Sequence, residues 1–128
     1  RAAERRVMLE DPSNISIREF SMVLCSCAKY KRYRQSLFAL ALEELENRAF
    51  SPLDLDDGLP GIVWAFRQFR HVPHKLLRVV SDLLTPNIVR YWDRKDLFQL
   101  MWSYRTLEAD DQAHYKEALA LLDVALVS

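Results

Sequence analysis

Residues 64–69 read Trp64-Ala65-Phe66-Arg67-Gln68-Phe69, and residues 102–107 read Trp102-Ser103-Tyr104-Arg105-Thr106-Leu107. Both run Trp, a small residue, an aromatic one, two variable or basic positions, then a large apolar residue. Residues 25–30, Cys25-Ser26-Cys27-Ala28-Lys29-Tyr30, keep the order with Cys in place of Trp. The likeness spreads outward when the chain is shifted by 39 and then by 38 residues. Phe20 falls on Leu59 and Leu97, Val23 on Ile62 and Leu100, Leu24 on Val63 and Met101, and Cys27 on Phe66 and Tyr104. Further on, Phe38 falls on Leu77 and Tyr115, Ala41 on Val80 and Ala118, and Leu45 on Leu84 and Leu122. A register that holds across two segments marks an internal repeat, and an internal repeat fixes the fold before anything else does.

Within each unit the apolar residues recur at helical spacing. Phe20, Val23, Leu24, Cys27 and Tyr30 form one stripe, and Leu37, Phe38, Ala41, Leu42 and Leu45 form a second. The expected fold is therefore all-α, a right-handed α-solenoid of about three helix-pair repeats. The helices are expected at 16–30 with 33–47, 57–69 with 73–84, and 95–107 with 112–126. The whole of 1–128 reads as one helical-repeat segment, with units at 14–52, 53–91 and 92–128. Residues 1–12 fit the end of a preceding helix, closed by Asp11-Pro12. The first residue is Arg, which suggests a processed chain or an excised segment. Three starts carry an N-cap residue followed three positions later by an acid: Ser16 with Glu19, Asp54 with Asp57, and Asp93 with Asp96. The middle unit has one extra residue before its first core position, where Gly58 and Pro60-Gly61 can absorb a distortion. Phe20, Leu24, Trp64, Phe66, Leu77, Val80, Trp102, Leu119 and Leu122 are expected to be largely buried. The final helix is apolar nearly all round, so the solenoid is expected to continue or dock beyond Ser128.

The Trp-small-aromatic order and the period of 38–39 resemble the octotricopeptide-type helical repeats and their apicomplexan and FAST-kinase-like relatives, over about residues 14–126. The first unit departs from the pattern, with Cys25 where the others have Trp. Tetratricopeptide and pentatricopeptide repeats are shorter and carry a different signature, whereas HEAT-like repeats, with periods in the forties, stay open as an alternative. The resemblance implies a protein that acts on RNA in an organelle, mitochondrial or another organelle matrix, on transcripts or as a component of a mitochondrial ribosome.

The composition agrees with a packed helical chain. Half of the residues are hydrophobic, and there are only two Gly and five Pro, too few for a collagen, a disordered tail or a turn-rich β-protein. No apolar run is long enough for a membrane span, so no membrane partner is expected. Two cysteines cannot make a disulfide framework, which favours a reducing compartment. Gly-rich phosphate loops, Cys-x-x-Cys pairs and nucleophile elbows are all missing from the sequence, so no enzyme activity and no cofactor are expected. Cys25 and Cys27 point to different helix faces, so no metal site is expected with His71 and His74.

Charge sums to zero, with eighteen basic and eighteen acidic residues, yet it is unevenly placed. Lys29, Lys31, Arg32 and Arg34 crowd the turn between the first two helices, with no acid among them. Arg67, Arg70, His71, His74, Lys75 and Arg78 crowd the next. The third has Arg105 followed by Glu108, Asp110 and Asp111. Adjacent turns of stacked helices lie roughly 8–10 Å apart, so the first two would merge into one basic patch. Lys29, Lys31, Arg32, Arg34, Arg67, Arg70 and Lys75 are the candidate RNA-binding residues, since cations meet phosphate and Arg stacks on unpaired bases. Cations also favour helix C-termini, where they meet the dipole. A protein-interaction scaffold without RNA contact, bound to neighbouring subunits, is the alternative.

Overall fold

The structure is a computed structural model and describes residues 2–128. The fold is all-α. Helix α1, Ala2–Leu9, is followed by a 3₁₀ turn at Pro12–Asn14 and by α2, Ile17–Lys29. Ser16 starts α2 with a full capping box: its hydroxyl accepts from the Glu19 amide at 3.0 Å, and the Glu19 carboxylate accepts from the Ser16 amide at 3.3 Å. Helix α3 is Gln35–Glu46. A short α4, Leu53–Asp56, precedes α5, Leu59–Gln68, and α6 is His74–Leu83. A short α7, Pro86–Val89, leads to α8, Arg94–Arg105, which Asp93 caps by accepting from the Asp96 amide at 2.9 Å.

The last helix expected at 112–126 is built in pieces. A turn of α-helix, α9 at Ala109–Gln112, and a 3₁₀ turn at Ala113–Tyr115 run into α10, Lys116–Val127. The segment around residue 54 differs too. Asp54 is not the cap of its first long helix; it lies inside α4, where its carboxylate accepts from the Ser51 amide at 2.7 Å. Gly58, at φ +113°, breaks the path between α4 and α5. Only glycine adopts that angle without steric cost, so the helix restarts at Leu59 rather than running on from Asp54.

Helices α2, α5 and α8 pack side by side, with α5 in the middle. Helix α3 packs on α6, α6 on α5, α10 on α8, and α1 against both α2 and α3. The core lies between these two sets of helices. The residues that coincide in the sequence are buried together: Phe20, Leu59 and Leu97; Val23, Ile62 and Leu100; Leu24, Val63 and Met101; Cys27, Phe66 and Tyr104. In the second helices the same holds for Phe38, Leu77 and Tyr115, for Ala41, Val80 and Ala118, and for Leu45, Leu84 and Leu122. Each fully buried Phe or Leu contributes about 1.5–3 kcal/mol through removal of apolar surface from water.

Two tryptophans depart from expectation. Trp64 is half-buried, as is Leu119, and Trp102 is 41% exposed. Among the described residues, α5 and α10 are the long helices packed on α8, so the far side of α8, with Trp102 and Phe98, faces solvent. At the opposite end Ser26 and Met22 of α2 are exposed, whereas Ala65 and Ser103, the counterparts of Ser26, are buried.

Candidate nucleic-acid interface

The turns after α2 and α5 have the same backbone. In the first, the Lys31 amide donates to Ala28 O at 3.1 Å and the Arg32 amide to Cys27 O at 2.8 Å. In the second, the Arg70 amide donates to Arg67 O at 2.9 Å and the His71 amide to Phe66 O at 3.0 Å. This pair of bonds is the Schellman closure of a helix, and it requires a left-handed residue just past the end. Lys31 at φ 56° and Arg70 at φ 60° hold that position. They also coincide under the 39-residue shift. Both side chains are exposed.

The two turns abut through an aromatic cluster. The Tyr33 ring lies 5.0 Å from Phe69 and 5.3 Å from Phe38, and Phe38 stacks edge-on against Phe66 at 5.1 Å. Lys29 is exposed, with its ammonium 5.9 Å from the centre of the Tyr30 ring. Tyr30 and Tyr33 present much of their rings to solvent. They lie outside the candidate residues read from the sequence, because Tyr30 continues the apolar stripe of α2. The signal that marks them is the alternation Lys29-Tyr30-Lys31-Arg32-Tyr33-Arg34.

Four of the candidate cations have protein partners. Arg67 is a correction to the sequence reading: it is buried, and its guanidinium donates to Thr106 O at 2.9 Å, to Thr106 Oγ1 at 3.0 Å and to His71 O at 3.3 Å. Burial lowers its pKa, but it stays a cation. It is a clasp between α5 and the end of α8. Arg34 and Arg32 are not free of acids, a second correction. Glu4 of α1, buried, accepts from Arg34 Nη1 at 2.9 Å and sits 3.9 Å from Arg32 Nη2. An acid so distant in sequence is invisible to a reading of the turn alone. Both arginines still expose a good part of their side chains. The Lys75 ammonium donates to the carbonyl of Glu46.

The third turn is built differently. The Gln112 side-chain amide donates to Arg105 O at 2.9 Å and to Leu107 O at 2.7 Å, closing α8 without a left-handed residue. Glu108, the counterpart of Arg70, has φ −61°. Arg105 pairs with Asp123 at 2.9 Å.

The thiols are internal donors. Cys25 donates to Gly61 O at 3.2 Å. Cys27 donates to Glu4 at 3.3 Å; burial and the adjacent carboxylate push its pKa up to about 11, so it stays protonated. For Glu4, burial pushes the carboxyl up, but the Cys27 hydrogen bond and the Arg32 and Arg34 charges outweigh it and hold it below its usual range. Among the described residues, no three His, Cys, Asp or Glu side chains converge as metal ligands, and no helix is long and apolar enough to cross a membrane.

The geometry therefore leaves Lys29, Lys31 and Arg70 as solvent-facing cations on two abutting turns, with Arg32 and Arg34 half engaged and tyrosine rings between them. Comparison with family models, with curated proteins and with solved structures found no match to this chain.

Proposed function

We propose that this chain is a segment of an α-solenoid with a 38–39-residue helix-pair repeat, and that it holds single-stranded RNA without catalysis. The observation that carries the reading is the pair of cations at left-handed positions, Lys31 and Arg70. Such a conformation costs an ordinary residue roughly 1–2 kcal/mol, and glycine is the usual occupant. The attraction of a cation to the helix end returns only about 0.3–1 kcal/mol. A basic side chain kept there twice, one unit apart, serves something other than the turn. Two cations on neighbouring turns suit successive phosphates, and Tyr30 and Tyr33 offer faces on which bases stack. The resemblance to octotricopeptide-type repeats supports the same ligand and is the basis for an organellar setting, on a transcript or in a mitochondrial ribosome.

The experiment replaces both residues by glycine. The K31G/R70G variant relieves the strained angles, so it should melt higher than the parent. Its affinity for an unstructured RNA should nevertheless fall for every sequence, and the salt dependence should flatten by about 0.7 in slope for each phosphate no longer neutralised. A more stable variant that binds RNA as tightly as the parent would refute the reading. The scaffold alternative is favoured by a different observation: Phe98, Trp102, Val124 and Val127 are all exposed at one end of the molecule.

A further inference from the structure

The first unit contains a socket that an arginine fills. Arg48, just past α3, lies with its guanidinium 5.5 Å from the centre of the Phe20 ring. It pairs with Glu44 at 2.6 Å and donates to the carbonyls of Pro12 at 2.9 Å and Ile15 at 2.6 Å. The third unit has the same local frame. The Trp92 amide donates to Val89 O at 3.1 Å just as the Ile15 amide donates to Pro12 O at 3.1 Å, and each turn is followed at once by an N-cap, Asp93 or Ser16. Carried into this frame, Phe20 corresponds to Leu97, Glu44 to Leu121 and Arg48 to Ala125. The plug is missing. In its place Val89, Trp92, Leu97, Leu121 and Ala125 line an open groove of about 770 Å³.

The replacements also change the chemistry. Leu121 and Ala125 in place of Glu44 and Arg48 turn a polar socket into an apolar one. Two cations border it. Arg94 is pinned by its bond to Leu126 O at 2.6 Å, and Arg90 lies over the Tyr91 ring at 4.8 Å. Among the described residues, no Asp or Glu side chain lines the groove. An apolar floor with a cationic rim complements a large apolar side chain flanked by acids, and it repels a basic segment. We propose that this groove docks a short segment of a partner protein, in which one or two large apolar residues enter the groove and neighbouring carboxylates meet Arg90 and Arg94. The proposal rests on the repeat register of the preceding reading but not on its RNA ligand.

The test uses the whole chain and two fluorescein-labelled peptides, one with paired leucines between glutamates, the other with the same leucines between lysines. The glutamate peptide should bind and the lysine peptide should not. The variant A125R/L121E rebuilds the plug of the first unit; it should fold, melt no lower than the parent and lose the glutamate peptide by roughly tenfold or more. Arg90→Glu should weaken the glutamate peptide and admit the lysine one, and it reads the proposal even if the plugged variant does not fold. Failure of the glutamate peptide to bind the parent, or binding indifferent to both variants, overturns the proposal. So does self-association of the parent that the plug abolishes, because a second copy then fills the groove. A misfolded plug combined with peptide binding that Arg90→Glu reverses would place the fault in the repeat register alone, while RNA binding is scored separately on the parent.

Discussion

Arg67→Ala should destabilise the fold by about 2–3 kcal/mol, because it removes a buried charged donor and leaves the Thr106 and His71 carbonyls without it. Lys cannot restore the forked contact, so Arg67→Lys should recover little of the loss in a denaturant melt. Glu4 provides a pH test. Its folded pKa is held below the ordinary 4.5, so its contribution is complete above that value and disappears as pH falls through the lower folded value. Glu4→Gln should cost about 1 kcal/mol near neutrality, since both arginine partners reach solvent, and nothing once Glu4 is protonated in both states. Melts of parent and variant should therefore converge in acid; a constant difference across pH would mean that the carboxylate charge is irrelevant. For Trp102, a fully buried ring would cost about 3–5 kcal/mol on truncation to Ala. With 41% exposure and no helix beyond it among the described residues, about 1 kcal/mol or less is expected, and a larger loss for the half-buried Trp64.

At the level of elements, the break before α5 is the most exacting feature. A Cβ on Gly58 would lie 2.4 Å from Ser21 Oγ, and the φ of +113° would be strained as well. Gly58→Ala should cost about 2–3 kcal/mol from the strained backbone and the clash together. Ser21→Gly in the same chain should return only the part due to the clash, and a double-mutant cycle by thermal melts separates the two. The sequence reading places α2, α3, α5, α6 and α8 well because each carries an apolar stripe whose period comes from burial on one face. It misplaces the middle cap, since Asp54 and Asp57 mimic a helix start; Gly58 marks the site of a distortion in the sequence, but that it splits the segment into α4 and α5 shows only in the backbone. The protein partners of Arg67 and Arg34 are missed for a related reason. Their partners, Thr106 and Glu4, lie far off in sequence, and local pattern carries no record of them. Lys29, Lys31 and Arg70 are legible as exposed cations because an ordinary helix end leaves such residues in water. The left-handed backbone under Lys31 and Arg70 is not, since glycine is what usually announces it.

Over the whole molecule, the two ends of the helix stack differ. Met22 and Ser26 face outward from α2, and Phe98 and Trp102 from α8, so the apolar surface left uncovered is larger at the α8 end. Patches of that kind favour association with other protein. Truncating Phe98 and Trp102 together to polar residues should raise solubility at high concentration with little change in melting temperature, measured by light scattering and calorimetry.

Because, among the described residues, α5 alone is packed on both sides by long helices of its own layer, the layers do not give way together. Amide protons of α5 should exchange with deuterium most slowly, at a rate set by opening of the entire chain, whereas those of α1 and α10 should exchange through fraying that leaves the centre intact. The molecule would then come apart from its edges inward, and a ligand lying over the turns after α2 and α5 would slow exchange most at the edge it holds closed.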